Sequence, residues 1–161
     1  MSNLSHIHVR PLEVGDFNFV QDLASRQPTF TVPPAYVLWL MLRIKGAICL
    51  IAEHSGEGPL GYLLALAIED PEHAIFVWQL ASSKNSQQEN ATLALLTEFR
   101  NIIKGLAIRR IVFSSVPGSS NYRVIRKYAW KVFSSIPREI HLLPPLVEPR
   151  ESEFVLDVQR D

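Results

Sequence analysis

An apolar run, a polar turn and a helical pattern follow one another between Phe76 and Phe99, in the stretch FVWQLASSKNSQQENATLALLTEF. The first backbone N–H groups of a helix have no partner inside the helix, and together with the helix dipole they attract anions. A strand that leads through a polar turn into a helix is therefore a place where a protein can hold a phosphate. Glycine, which would let the backbone approach that phosphate, is absent from this turn.

Two further sets of residues could do chemistry. His6 and His8 alternate with Ile7 and Val9 and would share one face of a strand. Two histidines at this spacing can chelate a metal, but no third ligand of suitable type is nearby, so we favour solvated side chains and predict no metal. The single cysteine, Cys49, lies in the apolar run AICLIAE, which favours a buried, inert thiol over a nucleophile.

The composition is that of an ordinary globular protein. The chain has 161 residues, 47% of them hydrophobic and 20% charged, which predicts one domain over residues 1–161. Sixteen basic and sixteen acidic residues balance, whereas nucleic-acid binding usually requires a basic excess or stripe. Apolar runs stay below the ~18 residues of a membrane span, and the N-terminus is polar. We therefore expect no nucleic-acid partner, no membrane partner and a cytoplasmic location.

Four helices are predicted where apolar residues recur with the helical period. Asp16 is the predicted N-cap of the first helix, and Gly46 follows the end of the second. The third helix is centred on residues 95–106 and the fourth on residues 119–133. The predicted buried stripe of the second helix consists of Val37, Leu40, Met41 and Ile44.

Strands are predicted before, between and after these helices, in the order β-α-α-β-β-β-α-β-α-β-β. The strands 47–53, 60–68 and 73–82 follow one another through short turns and should be antiparallel neighbours. The strand 109–115 should lie parallel to 73–82, because a helix connects the two. The predicted fold class is α/β (α+β), with a mixed central sheet of six to seven strands and helices on both faces.

At this level the chain resembles the GNAT superfamily of acyl-coenzyme A-dependent N-acetyltransferases, over nearly its whole length. VRPLEVGDF is similar to that family's first strand and helix cap, and GEGPLGYLLAL to its second and third strands. FVWQLA is similar to the fourth strand of the diaminobutyrate acetyltransferases of ectoine synthesis. Those enzymes also tend to end with a proline-containing hairpin, as the tail of this chain is predicted to do.

The resemblance implies that the polar turn binds the coenzyme A pyrophosphate, through a family pattern of Q/R-x-x-G-x-G/A. Asn90 replaces the first glycine of that pattern and Thr92 the final glycine or alanine. Asn tolerates positive φ, and a threonine hydroxyl suits a phosphate oxygen, so the turn can retain its function. Glu89 supports the alternative of an ordinary capped helix without an anion. The implied coenzyme-binding residues of the turn are Gln87, Gln88, Glu89, Asn90, Ala91 and Thr92.

A second block, SSNYRVIRKYAW, resembles the start of the family's fourth helix. The resemblance implies that Asn121 contacts the coenzyme arm and that Tyr128 protonates the departing thiolate, a role for which a phenol is chemically suited. The alternative is that Tyr128 is a core aromatic on one stripe with Ile125 and Val132.

The resemblance also implies that the fourth and fifth strands separate, and that the backbone of Leu80 and Ser82 holds the pantetheine arm and polarises the thioester carbonyl. A general base is not identified. The middle of the fourth strand, 75–79, contains no base, and the remaining candidates are more typical of solvated groups: Glu72, His73, Glu148, Glu151 and Glu153.

The function implied is transfer of an acetyl group from acetyl-coenzyme A, as co-substrate, to a small primary amine by direct attack. Homodimer formation is compatible with this expectation. Two alternatives remain open. One is a catalytically inactive GNAT-fold interaction module, and the other is a sensor that binds acyl-coenzyme A without reacting.

Overall fold

The computed structural model describes residues 6–68, 73–142 and 151–158. Within these residues the chain forms four α-helices and seven strands, with a short 3₁₀ helix at Val14–Asp16. The helices are α1 (Phe17–Ser25), α2 (Ala35–Met41), α3 (Gln88–Gly105) and α4 (Ser120–Phe133). The strands are β1 (Ile7–Pro11), β2 (Ala47–His54), β3 (Gly58–Ala67), β4 (Ala74–Ser82), β5 (Arg110–Ser115), β6 (Arg138–Leu142) and β7 (Ser152–Asp157). Within the described ranges, no helix is long and apolar enough to cross a membrane.

The strands form one mixed sheet in the order β1-β2-β3-β4-β5-β7-β6. β2 is antiparallel to both β1 and β3, and β7 is antiparallel to both β5 and β6. The crossover connection through α3 makes β5 parallel to β4. A second crossover, through α4, carries the chain from β5 past the position of β7 to β6. The predicted α/β class and the predicted parallel pair are therefore confirmed.

The chain packs as two compact units. The first comprises Met1–Leu66 and Gln79–Phe99, and the second Ala67–Trp78 and Arg100–Asp161. The expectation of one domain over 1–161 stays a prediction.

The first unit covers its strands on both faces. Successive side chains of a strand point to opposite faces. In β4 the side chain of Gln79 bonds to the connection between α1 and α2, at Thr31, whereas the side chain of Ser82 bonds to α3, at Thr92. Large side chains from both layers are fully buried in this unit, among them Val20, Leu23, Leu38, Ile51, Leu63, Leu95 and Phe99.

The second unit packs α4 on the β5–β7 ladder through aromatic rings. Phe154 of β7 stacks on Phe113 of β5 with ring centroids 5.4 Å apart, and on Tyr122 of α4 with centroids 4.6 Å apart. Alternate residues of the same strands, Val112 and Val155, are buried in a separate cluster. The two strands thus contribute apolar side chains to both faces, as a sheet covered on two sides requires.

Two helices differ in extent from the sequence pattern. α3 begins at Gln88, so most of the predicted anion-binding turn is itself helical. α2 is shorter than its predicted stripe. It ends at Met41, and the chain tightens into an i→i−3 bond from the N–H of Arg43 to the carbonyl of Leu40 at 2.9 Å. The prediction that Ile44 lies on the buried stripe of α2 is therefore wrong, and its side chain is 50% exposed.

Arg10 of β1 bridges two carboxylates that hold the start of the chain on the sheet. Its NH1 and NH2 donate to the two carboxylate oxygens of Asp16 at 2.8 and 2.9 Å, and its Nε donates to Glu53 of β2 at 3.1 Å. Asp16 occupies the predicted N-cap position of α1, but its carboxylate accepts the N–H of Glu13 and so closes the preceding 3₁₀ turn.

This cluster predicts a loss of stability in acid. Burial opposes the ionised form of Asp16, but the hydrogen bonds from Arg10 and from the Glu13 backbone outweigh it and hold the pKa of Asp16 below its usual value. A lowered folded-state pKa stabilises the protein above the unfolded value of about 3.9 and loses that contribution as the pH falls. Asp16→Asn should lower the free energy of unfolding at pH 7 and flatten its decline towards pH 3. Urea denaturation at several pH values measures the free energy of unfolding and its pH dependence. The same pH dependence in wild type and variant would contradict the lowered pKa of Asp16.

Candidate active site

The turn between β4 and α3 is closed by its own amide side chains. Asn85 Oδ1 accepts the backbone N–H of Gln87 at 2.8 Å, and Gln87 Oε1 accepts from Asn90 Nδ2 at 3.1 Å. The Gln87 side chain is buried by this arrangement, with 7% exposure of the residue. Gln87 therefore organises the turn from inside, and its carboxamide oxygen is occupied by Asn90.

The second half of the turn is anchored to β4 by hydroxyl groups. Thr92 Oγ1 donates to the carbonyl of Gln88 at 2.9 Å and lies 2.8 Å from Ser82 Oγ. A hydroxyl has one proton, so the Ser82 hydroxyl is the donor in the second bond. The proton of the Thr92 hydroxyl is thus engaged within the protein, and Thr92 offers no free O–H to a ligand in this conformation.

Backbone N–H groups at the start of α3 are the feature of the turn that is chemically suited to an anion. The first hydrogen bond inside α3 runs from the N–H of Ala91 to the carbonyl of Gln87 at 2.9 Å. The N–H of Gln88 already donates to the carbonyl of Asn85 at 3.2 Å, so the N–H groups ahead of the intrahelical bonds that could turn to an anion are those of Glu89 and Asn90. Asn90 lies inside the helix with a helical backbone. The left-handed conformation that asparagine tolerates is therefore not needed, and replacing glycine at this position creates no backbone strain.

The charge of the turn is mixed. Glu89 lies in the first turn of α3, where a carboxylate stabilises the helix dipole but repels an anion. Lys84 is exposed three residues before Gln87 and provides an opposite charge. The sequence analysis did not single out Lys84, because an isolated lysine in a polar turn has no distinguishing pattern.

β3 and β4 approach each other closely beside the turn. A Cβ atom added to Gly61 would lie 2.7 Å from the carbonyl oxygen of Ala81, 2.9 Å from Ser82 Oγ and 3.2 Å from Ser82 Cα. Gly61 thus allows β3 to pack against the strand segment that carries the hydroxyl anchor. This glycine lies within the GEGPLGYLLAL stretch, but its spacing alone does not show which residue it faces.

The β4–β5 ladder is short. It pairs Ala74, Ile75 and Phe76 with Arg110, Ile111 and Val112 and then stops, although β4 continues to Ser82 and β5 to Ser115. The later residues of β4 therefore have no β5 partner in this ladder. Leu80, one of the two predicted backbone contacts, belongs to this part of the strand.

The second stretch that resembles the family, SSNYRVIRKYAW, forms most of α4. Its two candidate residues lie on a face of the helix that differs from the buried one. Ser119 caps the helix by accepting the N–H of Tyr122 at 3.1 Å, which places Asn121 in the first turn. Asn121 and Tyr128 lie on one face of the helix, seven residues apart; Asn121 is exposed and Tyr128 is half-buried. The buried residues of the helix are Ala129, Val132 and Phe133. Tyr128 therefore lies at the flank of the apolar stripe, which disfavours the alternative of a core aromatic.

The described residues give no further candidate for the general base beyond the acidic residues and the histidine named from the sequence. His73 is exposed, Glu151 and Glu153 are half-buried, and Glu72 and Glu148 lie outside the described residues. Burial raises the pKa of the Cys49 thiol to about 11, which keeps it protonated and unreactive at neutral pH. Among the described residues no three potential ligands come together as a metal site.

A buried polar group in the middle of β4 was not singled out from the sequence. The side chain of Gln79 bonds to Tyr62 of β3 and to the carbonyl of Thr31. These three residues are far apart in sequence, so no local spacing links them. Their contact is a property of the folded sheet.

The chain has the fold of the GNAT N-acetyltransferases, as comparison with solved structures shows. Diaminobutyrate acetyltransferase EctA from Paenibacillus lautus, in complex with L-2,4-diaminobutyric acid and coenzyme A, is 22% identical with a TM-score of 0.75, over 96% of this chain and 97% of that one. Spermidine N-acetyltransferase from Vibrio cholerae, in complex with CoA and spermine, is 11% identical with a TM-score of 0.70, over 96% of each chain.

A third structure, from Desulfovibrio desulfuricans and assigned to the GNAT family of acetyltransferases, is 16% identical with a TM-score of 0.71, over 95% of this chain and 99% of that one. No protein-family model matches the sequence, and no curated protein matches it in a sequence search. At these identities the similarity defines the fold, and the activity has to be argued from the residues.

Proposed function

We propose that the protein is an acyl-coenzyme A-dependent N-acetyltransferase that transfers the acetyl group of acetyl-coenzyme A to a small primary amine. The observation that carries the proposal is the β4–turn–α3 unit. There a short parallel ladder, a hydroxyl anchor at Ser82 and Thr92, and the N-terminus of a long helix follow one another within a GNAT fold.

In this proposal the pyrophosphate of the coenzyme is bound at the start of α3, by residues 87–92. Backbone N–H groups and the helix dipole supply the attraction, because the side chains of the turn are engaged with one another. The pantetheine arm runs along the backbone of Leu80 and Ser82, and Asn121, exposed in the first turn of α4, contacts the arm.

The reaction is direct attack. The amine nitrogen attacks the acetyl carbonyl carbon, the C–N bond forms and the C–S bond breaks, and the sulfur leaves with the electron pair of that bond. Tyr128 gives its phenolic proton to the leaving thiolate, and the nitrogen loses a proton to solvent. The phenolate then regains a proton from solvent, so that the enzyme returns to its starting state. No described side chain is assigned as the base that removes the amine proton. The products are coenzyme A and the N-acetylated amine.

A small primary amine is the proposed class of acceptor because the proteins of similar fold include enzymes crystallised with L-2,4-diaminobutyric acid and with spermine. The proposed location is the cytoplasm, because a single cysteine cannot form an internal disulfide. The homodimer stays a prediction.

The alternative of an inactive interaction module is favoured by one specific observation. The turn has no glycine, and Glu89 places a negative charge at the start of α3, where the pyrophosphate would bind. A capped helix without an anion has the same features.

Acetylation of a panel of amines tests the proposal. The purified protein should convert at least one of L-2,4-diaminobutyric acid, spermine and a simple alkylamine to its monoacetylated product, detected by mass spectrometry, with release of one free thiol per product. No conversion by a folded protein that binds acetyl-coenzyme A would favour the sensor over the enzyme. Release of thiol without an acetylated amine would show hydrolysis of the thioester and would contradict transfer to an amine.

Neutralising Glu89 tests the coenzyme-binding turn. Glu89→Gln should tighten binding of acetyl-coenzyme A by roughly 2–5-fold at low salt, since a like charge near the pyrophosphate is removed, and the gain should shrink at high salt. Titration calorimetry at two salt concentrations measures this. Glu98→Gln, two to three helical turns further along α3, is the control and should change the affinity little. An affinity that is equal in the two variants at both salt concentrations would contradict pyrophosphate binding at this turn.

A further inference from the structure

α2 is apolar on all sides, although part of it is exposed to solvent. Its seven residues, AYVLWLM, include no charged side chain, and its buried residues are Leu38 and Met41. A surface helix usually carries polar residues on the face away from the core, and a helix that is apolar all round is usually covered on all sides. α2 therefore leaves an apolar face uncovered within the described part of the chain.

The uncovered residues form one stripe, which we call the outer stripe: Tyr36, Trp39, Leu40, Arg43 and Ile44. Their spacing of i, i+3, i+4, i+7 and i+8 places them on one side of a helix. The helical geometry reaches the end of the stripe, because the N–H of Ile44 donates to the carbonyl of Leu40 at 3.1 Å. Tyr36 is 68% exposed, Trp39 38% and Ile44 50%. The exposure of Ile44 is thus part of a second apolar surface.

Three side chains of the outer stripe are stacked on one another. The ring centroids of Tyr36 and Trp39 are 6.0 Å apart, and the ring planes differ by 18°. The guanidinium carbon of Arg43 lies 3.9 Å from the centroid of the Trp39 ring. Since the three residues follow one another along the helix axis, Trp39 lies between the other two. The stack has a cation at one end and an aromatic ring at the other, and these two groups attract each other.

A stack with complementary ends fits a second copy of itself that runs in the opposite direction. In a two-fold contact the same patch meets itself, so residue i of one protomer contacts residue j of the other, and j contacts i. Antiparallel outer stripes bring Arg43 of each protomer onto Tyr36 of the partner subunit. A parallel arrangement brings the two Arg43 side chains together and is repelled. Trp, Tyr and Arg are also the residue types that contribute most to the binding energy of protein interfaces.

We propose that the outer stripe is the interface of a symmetric homodimer, in which the two α2 helices are antiparallel and Arg43 of each protomer lies on Tyr36 of the partner subunit. The interface is small, because a stable complex buries about 800 Å² on each partner, and one seven-residue helix with the turn that follows supplies only part of this area. The dimer is therefore reversible, with a dissociation constant of roughly 1–100 μM. This inference does not rest on the proposed function.

Sedimentation velocity at roughly 1–200 μM protein is the direct test, and the wild type should pass from monomer to dimer in this range. Trp39→Ala and Arg43→Glu should each raise the dissociation constant by about 10-fold or more. The first variant removes the centre of the stack, and the second places a carboxylate on the ring of the partner's Tyr36. Both side chains are exposed, so the variants should fold like the wild type, which circular dichroism checks.

Trp130→Ala is the matched control, because Trp130 of α4 is 60% exposed and lies outside the outer stripe. Its dissociation constant should equal that of the wild type. An exchange of charge tests the antiparallel direction. Tyr36→Lys should weaken the dimer, since the new lysine meets Arg43 of the partner subunit, and Tyr36→Lys/Arg43→Glu should recover most of the lost affinity, because opposite charges then meet.

A wild type that stays monomeric at about 200 μM would overturn the proposal. Binding of that monomer to vesicles of phosphatidylcholine and phosphatidylserine would then assign the outer stripe to a membrane surface. A dimer that Trp39→Ala and Arg43→Glu leave unchanged would overturn the interface. A dimer that the charge exchange fails to recover would overturn the antiparallel direction.

Discussion

Replacing Tyr128 with phenylalanine is expected to lower kcat by about 10²–10⁴-fold, the range typical of a general acid, with little change in the affinity for acetyl-coenzyme A. The phenolic proton is needed only as the thiolate leaves, so its loss affects the transition state and not the bound ground state. The half-buried position of Tyr128 at the flank of the α4 stripe means that loss of its hydroxyl should leave the apolar packing intact. Steady-state kinetics measure the change in kcat, and titration calorimetry measures the affinity for acetyl-coenzyme A.

Tyr122→Phe is the matched control for this prediction. Tyr122 is in the same helix, and its ring stacks on Phe154 at 4.6 Å, a contact that phenylalanine retains. It should therefore preserve both kcat and coenzyme affinity. Full activity in Tyr128→Phe would show that solvent or another group protonates the thiolate.

Gly61→Ala is expected to destabilise the protein by roughly 1–3 kcal/mol, the usual cost of inserting a methyl group where there is no space. The nearest atom to the added Cβ is the backbone oxygen of Ala81 at 2.7 Å, which cannot move without a shift of β4. The same shift would disturb Ser82 and its bond to Thr92. The variant should therefore also bind acetyl-coenzyme A more weakly than the wild type.

Gly105→Ala provides the comparison for Gly61→Ala. A Cβ at Gly105, the last residue of α3, would meet no atom within 4 Å. Alanine should leave the stability unchanged or raise it by up to about 1 kcal/mol, since glycine is a poor helix former. Urea denaturation of both variants measures the difference, and equal stabilities would show that β3 and β4 adapt at Ser82.

The neighbouring strands in the middle of the sheet and the parallel β4–β5 pair could be predicted, because they follow from local patterns and from one rule of connection. The position of β7 between β5 and β6 was not predicted, since no local pattern fixes it. Three apolar runs with short turns predict neighbouring strands, and a helix between 73–82 and 109–115 requires those strands to be parallel. The structure confirms that pairing. The shorter extent of α2 could not be predicted, because the helical stripe continues through Ile44 to the stop signal at Gly46, whereas the helix already ends at Met41.

The candidate site, like the fold, could be predicted from the sequence only in part. The position of the turn at the start of a helix was visible in the change from apolar to polar residues. The engagement of the Thr92 hydroxyl by Ser82 and Gln88 was not, since it depends on how β4 meets α3. Long-range polar contacts have no sequence spacing, and for that reason the link between Tyr62 and Gln79 became apparent only in the folded sheet.

The most direct test of the account is the thermal stability of the wild-type protein with and without acetyl-coenzyme A. A ligand present at 100 times its dissociation constant stabilises the folded state by ~2.7 kcal/mol, which for a domain of this size corresponds to a rise in Tm of roughly 5–10 °C. We expect such a rise with acetyl-coenzyme A and none with acetate. A folded protein whose Tm stays the same up to millimolar acetyl-coenzyme A would contradict coenzyme binding at the start of α3 and leave the interaction module as the better account.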